Sequence, residues 1–277
     1  MNMQSYKMRS YKLVEPPQGE GWDEVQEYLV GLFSDAWAGN YIKNHFARCV
    51  DDARRIHDLL GAGGSVLNIG GAPYIFEVAA QRLGLSTVSV DLDPQRHKDV
   101  VNSLSGEVIA GNIEDEKFRR GLSLHGYGAI CLCEVFEHMR HDILSLLGDL
   151  NTAMEPGTIL YLTTPNYYFA PRFLSMLLQR RSGPSPVKEW SKLIDIGHMG
   201  HVREYSLVEI EELIHHAGFK IDEIHVRNRY GSRSRPLLKR LASWALHRMP
   251  LFGQEFVVIA RAAGGDAPSS SSPSTKS

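Results

Sequence analysis

The run VLNIGG at 66–71 is an apolar strand that ends in two adjacent glycines, and Asp91 closes the next apolar run. No other feature of this chain constrains its fold as much. A near-continuous apolar segment suits a strand covered on both faces, which calls for a parallel sheet with helices above and below. The same unit recurs along the chain. Short apolar runs lie at 66–70, 87–91, 108–110, 129–133, 158–163, 219–226 and 256–260. Helical spacing fills the gaps, as at Ile143, Leu146, Leu147, Leu150 and Met154. The expectation is an α/β, doubly wound, mostly parallel seven-stranded sheet.

Two helical stripes precede the first strand. One carries Val25, Tyr28, Leu29, Leu32 and Phe33; the other runs from Ile42 through Phe46, Val50, Ala53 and Ile56 to Leu60 and stops at Gly61. They predict a helical N-terminal cap over 1–61, ahead of the sheet domain at 62–262. Pro73 stands where the first turn of a helix over 74–83 tolerates it. Ser206 and Glu209 form a capping box before another stripe that ends at Gly218. Insertions at 166–200 and 230–254 break the alternation and are expected to rise above the sheet as lids, the first with a helix over 171–181. The tail at 263–277 reads GGDAPSSSSPSTKS from Gly264 on, has nothing to place in a core, and is expected to be disordered.

Lys and Arg number 30 against 32 Asp and Glu, which argues against nucleic acid as the partner of the whole chain. No apolar run approaches the roughly 20 residues of a membrane-spanning helix. The start, MNMQSYKMRSYKLVEPP, lacks the apolar stretch of a secretory signal. Of the three cysteines, Cys131 and Cys133 lie two apart in one strand-like run, where a disulfide between them is disfavoured. A reducing, cytoplasmic setting is expected.

In a doubly wound sheet the ligand lies at the carboxyl ends of the strands. Gly70 and Gly71 let the backbone turn there and approach a ligand closely. Asp91, 21 residues after Gly70, is placed to accept both hydroxyls of a ribose. The bland alternative is a turn glycine and a solvated strand-end acid. This spacing suits a nicotinamide dinucleotide as well as S-adenosylmethionine, and three features favour the second. A pyrophosphate site wants small residues throughout its glycine loop, whereas Tyr74 and Ile75 are bulky. GNIEDE at 111–116 offers polar groups to an adenine edge, and EVFEH at 134–138 brings titratable groups to the cleft centre. The chain has no nucleophile elbow, Cys-x-x-Cys pair or Walker loop.

Over about residues 40–262 these motifs resemble the class I S-adenosylmethionine-dependent methyltransferases, in particular the branch acting on oxygens of quinones and other small molecules. VLNIGGAPYIFEVAAQRLG is similar to the first motif, VSVDLDP to the ribose-binding strand end, and GNIEDE to the adenine-flanking segment. ICLCEVFEHM and TILYLTTPN resemble the fourth and fifth motifs, and GHVREYSLVEIEELIHHAGF the approach to the late strands. The resemblance implies a Rossmann-like fold and a methyltransferase. In it Gly70 and Gly71 face the methionine moiety, Asp91 and Leu92 the ribose, and Asn112 and Ile113 the adenine, with Glu134 also at the cofactor. Asn68 stands where the family has an acid, Ala72 and Tyr74 where it has glycines, and Asn112 where it has Asp, departures that bear on affinity more than on fold.

A sulfonium is already an activated methyl donor, so the protein must mainly align the acceptor with the S–CH3 axis. His138 is the general-base candidate, and its alternative is a structural histidine bonded to backbone. Met139, Tyr167 and Tyr168 are candidates for the cleft wall. Glu134-x-x-Glu137-His138 followed by His201 resembles the metal site of small-RNA 2′-O-methyltransferases and of some ubiquinone-pathway O-methyltransferases. That resemblance implies Mg²⁺ or Mn²⁺ on Glu134, Glu137, His138 and His201; the alternative has Glu137 capping a helix and His138 lining the pocket. The expected acceptor is an oxygen of a small molecule, a sugar or a lipid-linked compound. At 233–249, Arg233, Arg235, Lys239, Arg240 and Arg248 accompany an apolar face with Leu237, Leu241 and Trp244. This pattern fits peripheral contact with an anionic membrane, or a lid packed on its own domain. Three other readings stay open: a cofactor-binding scaffold without turnover, an RNA 2′-O-methyltransferase and a nicotinamide dehydrogenase.

Overall fold

The computed structural model of the chain describes residues 7–10, 21–33, 36–140, 142–180, 200–228 and 252–263, with a few isolated positions between them. The elements in chain order are β1 (Lys7–Ser10), α1 (Trp22–Gly31), α2 (Ala36–Leu60), β2 (Ser65–Ile69), α3 (Ile75–Arg82), β3 (Ser86–Asp91), α4 (Lys98–Val101) and β4 (Val108–Ala110). Then follow α5 (Glu116–Gly121), β5 (Ala129–Cys133), α6 (Ile143–Ala153), β6 (Ile159–Pro165), α7 (Ala170–Gln179), α8 (Leu207–His216), β7 (Lys220–Arg227) and β8 (Glu255–Arg261). They form one sheet in the order β1-β7-β8-β6-β5-β2-β3-β4, parallel except for β8, which runs antiparallel to both neighbours. All seven strands read from the sequence are present. The eighth, β1, pairs in parallel with β7 from Lys7↔Glu223 to Ser10↔Val226, so the chain before residue 61 is not helical alone.

Strand alternation supplies a core on each face. Leu67 and Ile69 of β2 join α6 residues Leu146 and Leu150 and α8 residues Ile210 and Ile214. Val66 joins the opposite core with Trp22, Ile42, Phe46, Ile56 and Phe76 from α1, α2 and α3. Each Leu, Ile or Phe buried in this way contributes about 1.5–3 kcal/mol from apolar area removed from water. Helix starts are set by local hydrogen bonds. Asp142 Oδ1 accepts from the Leu144 and Ser145 amides, and Ser206 and Glu209 close the reciprocal box read from the sequence. Pro73 is not in a first helical turn. It follows a cis peptide in a tight turn, Tyr74 takes the left-handed conformation (φ 64°), and the helix begins only at Ile75.

All three cysteines are free thiols. Among the described residues, no helix is long and apolar enough to cross a membrane. The basic segment at 233–249 and all but the first residue of the tail at 263–277 lie outside the described residues.

Candidate functional site

The carboxyl ends of β5, β2, β3 and β4 lie side by side, and the loops leaving them form the candidate site. After Ile69 the chain turns through Gly70 (φ 79°), whose amide donates to the Val90 carbonyl at 2.7 Å. A Cβ on Gly70 would stand 2.4 Å from Val135 Cγ2, so a side chain would be both strained and without room. Asp91, at the end of β3, ties this loop down: Oδ2 accepts from the Ala72 amide at 3.1 Å and Oδ1 from the Asp93 amide at 3.0 Å. A carboxylate has about four acceptor positions, so two backbone bonds leave capacity for a ligand's hydroxyls. Leu92 beside it is exposed, at 63%. Off β4, Asn112 Oδ1 accepts from the Glu114 amide at 3.0 Å, and Ile113 is buried against the core.

A residue that sequence reasoning passed over lies under the loop. Glu77 of α3 is fully buried, and its Oε1 accepts from Asn68 Nδ2 at 2.7 Å and from Ser89 Oγ at 2.6 Å. Its Oε2 is buried without a hydrogen-bond partner. Burial pushes the carboxyl up to about 7, and the Ser89 and Asn68 hydrogen bonds offset only part of that. A Cβ on Gly71 would stand 2.3 Å from Oε1, so this glycine makes space for the carboxylate beneath it. The signal in the sequence was a pair of anomalies: a polar Asn68 inside an apolar strand, and an acid among Phe76, Ala79 and Ala80 on a buried helix face.

The second half of the site follows β5. Glu134 takes a left-handed backbone conformation (φ 59°), and its carboxylate lies 3.6 Å from the buried Arg48 guanidinium of α2. Three residues on, Glu137 is buried, with Oε2 accepting from Thr164 Oγ1 at 3.1 Å and its carbonyl accepting from the Val202 amide at 2.8 Å. Oε1 has no hydrogen-bond partner and lies 3.9 Å from His138 Nε2 and 3.8 Å from His201 Nε2. Burial, then the nearby Glu134 carboxylate, holds the Glu137 carboxyl well above the usual range.

Chemistry assigns the two histidine tautomers. His138 Nδ1 is 3.3 Å from the Gly200 carbonyl, and His201 Nδ1 is 2.6 Å from Glu204 Oε1. A carbonyl and a carboxylate only accept, so both Nδ1 atoms carry a proton, and in a neutral imidazole the lone pair then sits on the Nε2 that faces Glu137. The rings stand nearly perpendicular, 5.0 Å apart. Glu204 is itself held by Arg172 of α7.

Three of the four residues expected at a metal site, Glu137, His138 and His201, therefore come together, with one ligand atom from each within 4.8 Å of the others. Glu134 does not join them, because the Arg48 guanidinium takes its carboxylate. Met139 packs against the core and lines a pocket with Glu114, Arg119 and Asp142, and Tyr168 is 43% exposed beside Tyr167 and Phe173.

The sequence matches a family model described as a methyltransferase domain over residues 41–224. No curated protein matches it. Among solved structures, it resembles a SAM-dependent methyltransferase from Archaeoglobus fulgidus at a TM-score of 0.56 and 14% identity, over 82% of this chain and 100% of that one. A putative methyltransferase from Haloferax volcanii, solved in complex with the Trm112 activator, gives 0.55 at 15% identity over 80% and 93%. A SAM-dependent methyltransferase from Methanosarcina mazei gives 0.52 at 14% identity over 76% and 98%. At such identities the likeness to solved structures shows the fold.

Proposed function

The chain belongs to the methyltransferase-domain family and is a class I S-adenosylmethionine-dependent methyltransferase; from that premise we propose that it methylates a hydroxyl oxygen of a small-molecule or lipid-linked acceptor, with a divalent cation held by Glu137, His138 and His201. The cofactor fits the first half of the site. Gly70 leaves a backbone surface where a Cβ has no room, suited to the methionine moiety, and Asp91 keeps acceptor capacity for the ribose hydroxyls. Leu92 stands next to Asp91 on the ribose side, Asn112 and Ile113 flank the adenine side, and Glu134 closes the wall toward the methyl group.

The observation that carries the oxygen acceptor is the orphaned Glu137 Oε1 facing two imidazoles. Separations of 3.8 and 3.9 Å are too long for hydrogen bonds and suit atoms that share a cation. Both imidazoles are oriented from behind, by a carbonyl and a carboxylate, as metal-ligating histidines commonly are. With Glu134 withdrawn, the donor set is two imidazoles and one carboxylate. That set is softer than the two carboxylates and two imidazoles expected from sequence, and it favours Mn²⁺, Fe²⁺ or Zn²⁺ over Mg²⁺. When bound, such an ion supplies a Lewis acid that lowers the pKa of an acceptor hydroxyl and fixes its oxygen. Glu137 and the two histidines orient the acceptor. Without a cation, the His138 Nε2 lone pair is the base that takes the hydroxyl proton.

The test uses methyl-labelled S-adenosylmethionine with extracts of lipids and small molecules. Label is expected in methyl ethers or esters, to fall with excess chelator, and to return with Mn²⁺. His201→Ala removes a ligand and should weaken Mn²⁺ binding by more than the about 10–100-fold that loss of an outer partner costs. Labelled nitrogen or carbon products, or full transfer in excess chelator, would contradict the reading.

A further inference from the structure

Charge is segregated along this chain to a degree its net charge of -2 conceals. Residues 166–188 and 228–254 together hold ten of the 30 Lys and Arg and none of the 32 Asp and Glu, so the remaining chain is strongly acidic. Both basic segments leave from one place. The amide of Asn166, just after β6, donates to the Gln254 carbonyl at 3.0 Å, and its Nδ2 donates to the Gly253 carbonyl at 2.7 Å. The Gln254 amide in turn donates to Asn228 Oδ1 at 2.9 Å, which joins the two ends of the second segment.

From this point α7 projects with no buried residue anywhere along it. Leu174, Leu177 and Leu178 are 57%, 60% and 76% exposed, and their i, i+3, i+4 spacing puts them on one stripe. Arg180 caps the helix and is exposed, and Arg181 follows. Three leucines facing water beside acid-free basic sequence form the two-part signature of an interfacial helix: apolar area for the acyl boundary and cations for the headgroups. The base of α7 is fastened to the site, since Arg172 pairs with Glu204, which holds His201.

We infer that α7 docks the protein on an anionic phospholipid surface, with the leucine stripe in the headgroup–acyl boundary and Arg180 at the lipid phosphates. An RNA would use the cations but has no use for a leucine stripe; a second copy, whose acidic remainder could meet the cations, is told apart by the oligomeric state of the serine variant. Docking there requires no methyl transfer and stands apart from the choice of acceptor.

Co-sedimentation of the full chain with vesicles tests this directly. The protein should pellet with phosphatidylcholine vesicles containing phosphatidylglycerol, not with pure phosphatidylcholine, and should be released by salt. Leu177→Ser/Leu178→Ser should weaken partitioning by about tenfold, and Arg180→Glu should weaken it too. S-adenosylhomocysteine affinity should stay unchanged in both variants, because these exposed residues touch neither core nor cofactor site. Equal recovery with both vesicle types, or none with either, would overturn the inference. So would salt-sensitive RNA binding that the serine variant retains, or a dimer that the same variant dissociates.

Discussion

Arg227→Met is expected to destabilise the fold by about 3–5 kcal/mol, the range for removing one partner of a buried ion pair. Arg227 is fully buried at the end of β7, and its five N–H groups are all engaged. Nε donates to Glu255 Oε1 at 2.8 Å, Nη1 to Asp52 Oδ1 at 2.7 Å and Asp51 Oδ2 at 3.0 Å, and Nη2 to Asp52 Oδ2 at 3.1 Å and to Glu255. Tyr161 adds its hydroxyl to Asp52 Oδ1 at 2.7 Å. Burial already raises the Asp52 carboxyl, and the Arg227 charge pulls it back down. Methionine fills similar volume but leaves Asp52 and Glu255 in the interior without that cation. Those carboxyls must then take up protons or drag in water. Denaturant unfolding reads the loss; a change below about 1 kcal/mol would mean the network contributes no more than a surface pair.

Glu77→Gln should have an effect of comparable size that depends on pH. The folded-state carboxyl titrates at about 7, against an ordinary 4.5. Between those values the folded chain keeps a proton that the unfolded chain has released, so stability from this group falls as pH rises through the window. Above 7 the whole penalty is present, about 3 kcal/mol for a shift of this size. Glutamine keeps an acceptor for Asn68 and Ser89 and carries no charge. The variant should therefore be more stable than the parent at pH 8 by up to about 3 kcal/mol, and much closer to it at pH 5. Unfolding curves at the two pH values decide the matter. An equal difference at both would show that Glu77 does not titrate in this range.

These two residues also mark where the sequence stopped being legible. Seven strands were readable because each carries a run of apolar residues that only a two-sided core requires. β1 reads KMRS and has no such run; an edge strand is held by backbone hydrogen bonds to one neighbour, which leave no trace in side-chain pattern. The helix after the glycine loop began one residue later than the proline suggested, because Tyr74 and not Pro73 ends the turn. That Gly70, Gly71 and Asp91 meet at the ends of neighbouring strands was legible from spacing. The fate of Glu134 was not, since its partner Arg48 lies on α2, far back in the chain. The orphaned acceptor on Glu77 and the tautomers of His138 and His201 likewise depend on atoms that only the fold brings together.

The central claim is that the ends of β2, β3 and β4 bind the adenosyl cofactor. Calorimetric titration of S-adenosylhomocysteine into the full chain tests it most directly, with NAD as the comparison ligand. One S-adenosylhomocysteine site per chain is expected, no NAD binding, and a loss of about 1–3 kcal/mol in Asp91→Ala from the missing charge-assisted hydrogen bonds. Failure of S-adenosylhomocysteine to bind, tighter binding of NAD, or unchanged affinity in a folded Asp91→Ala protein would contradict it.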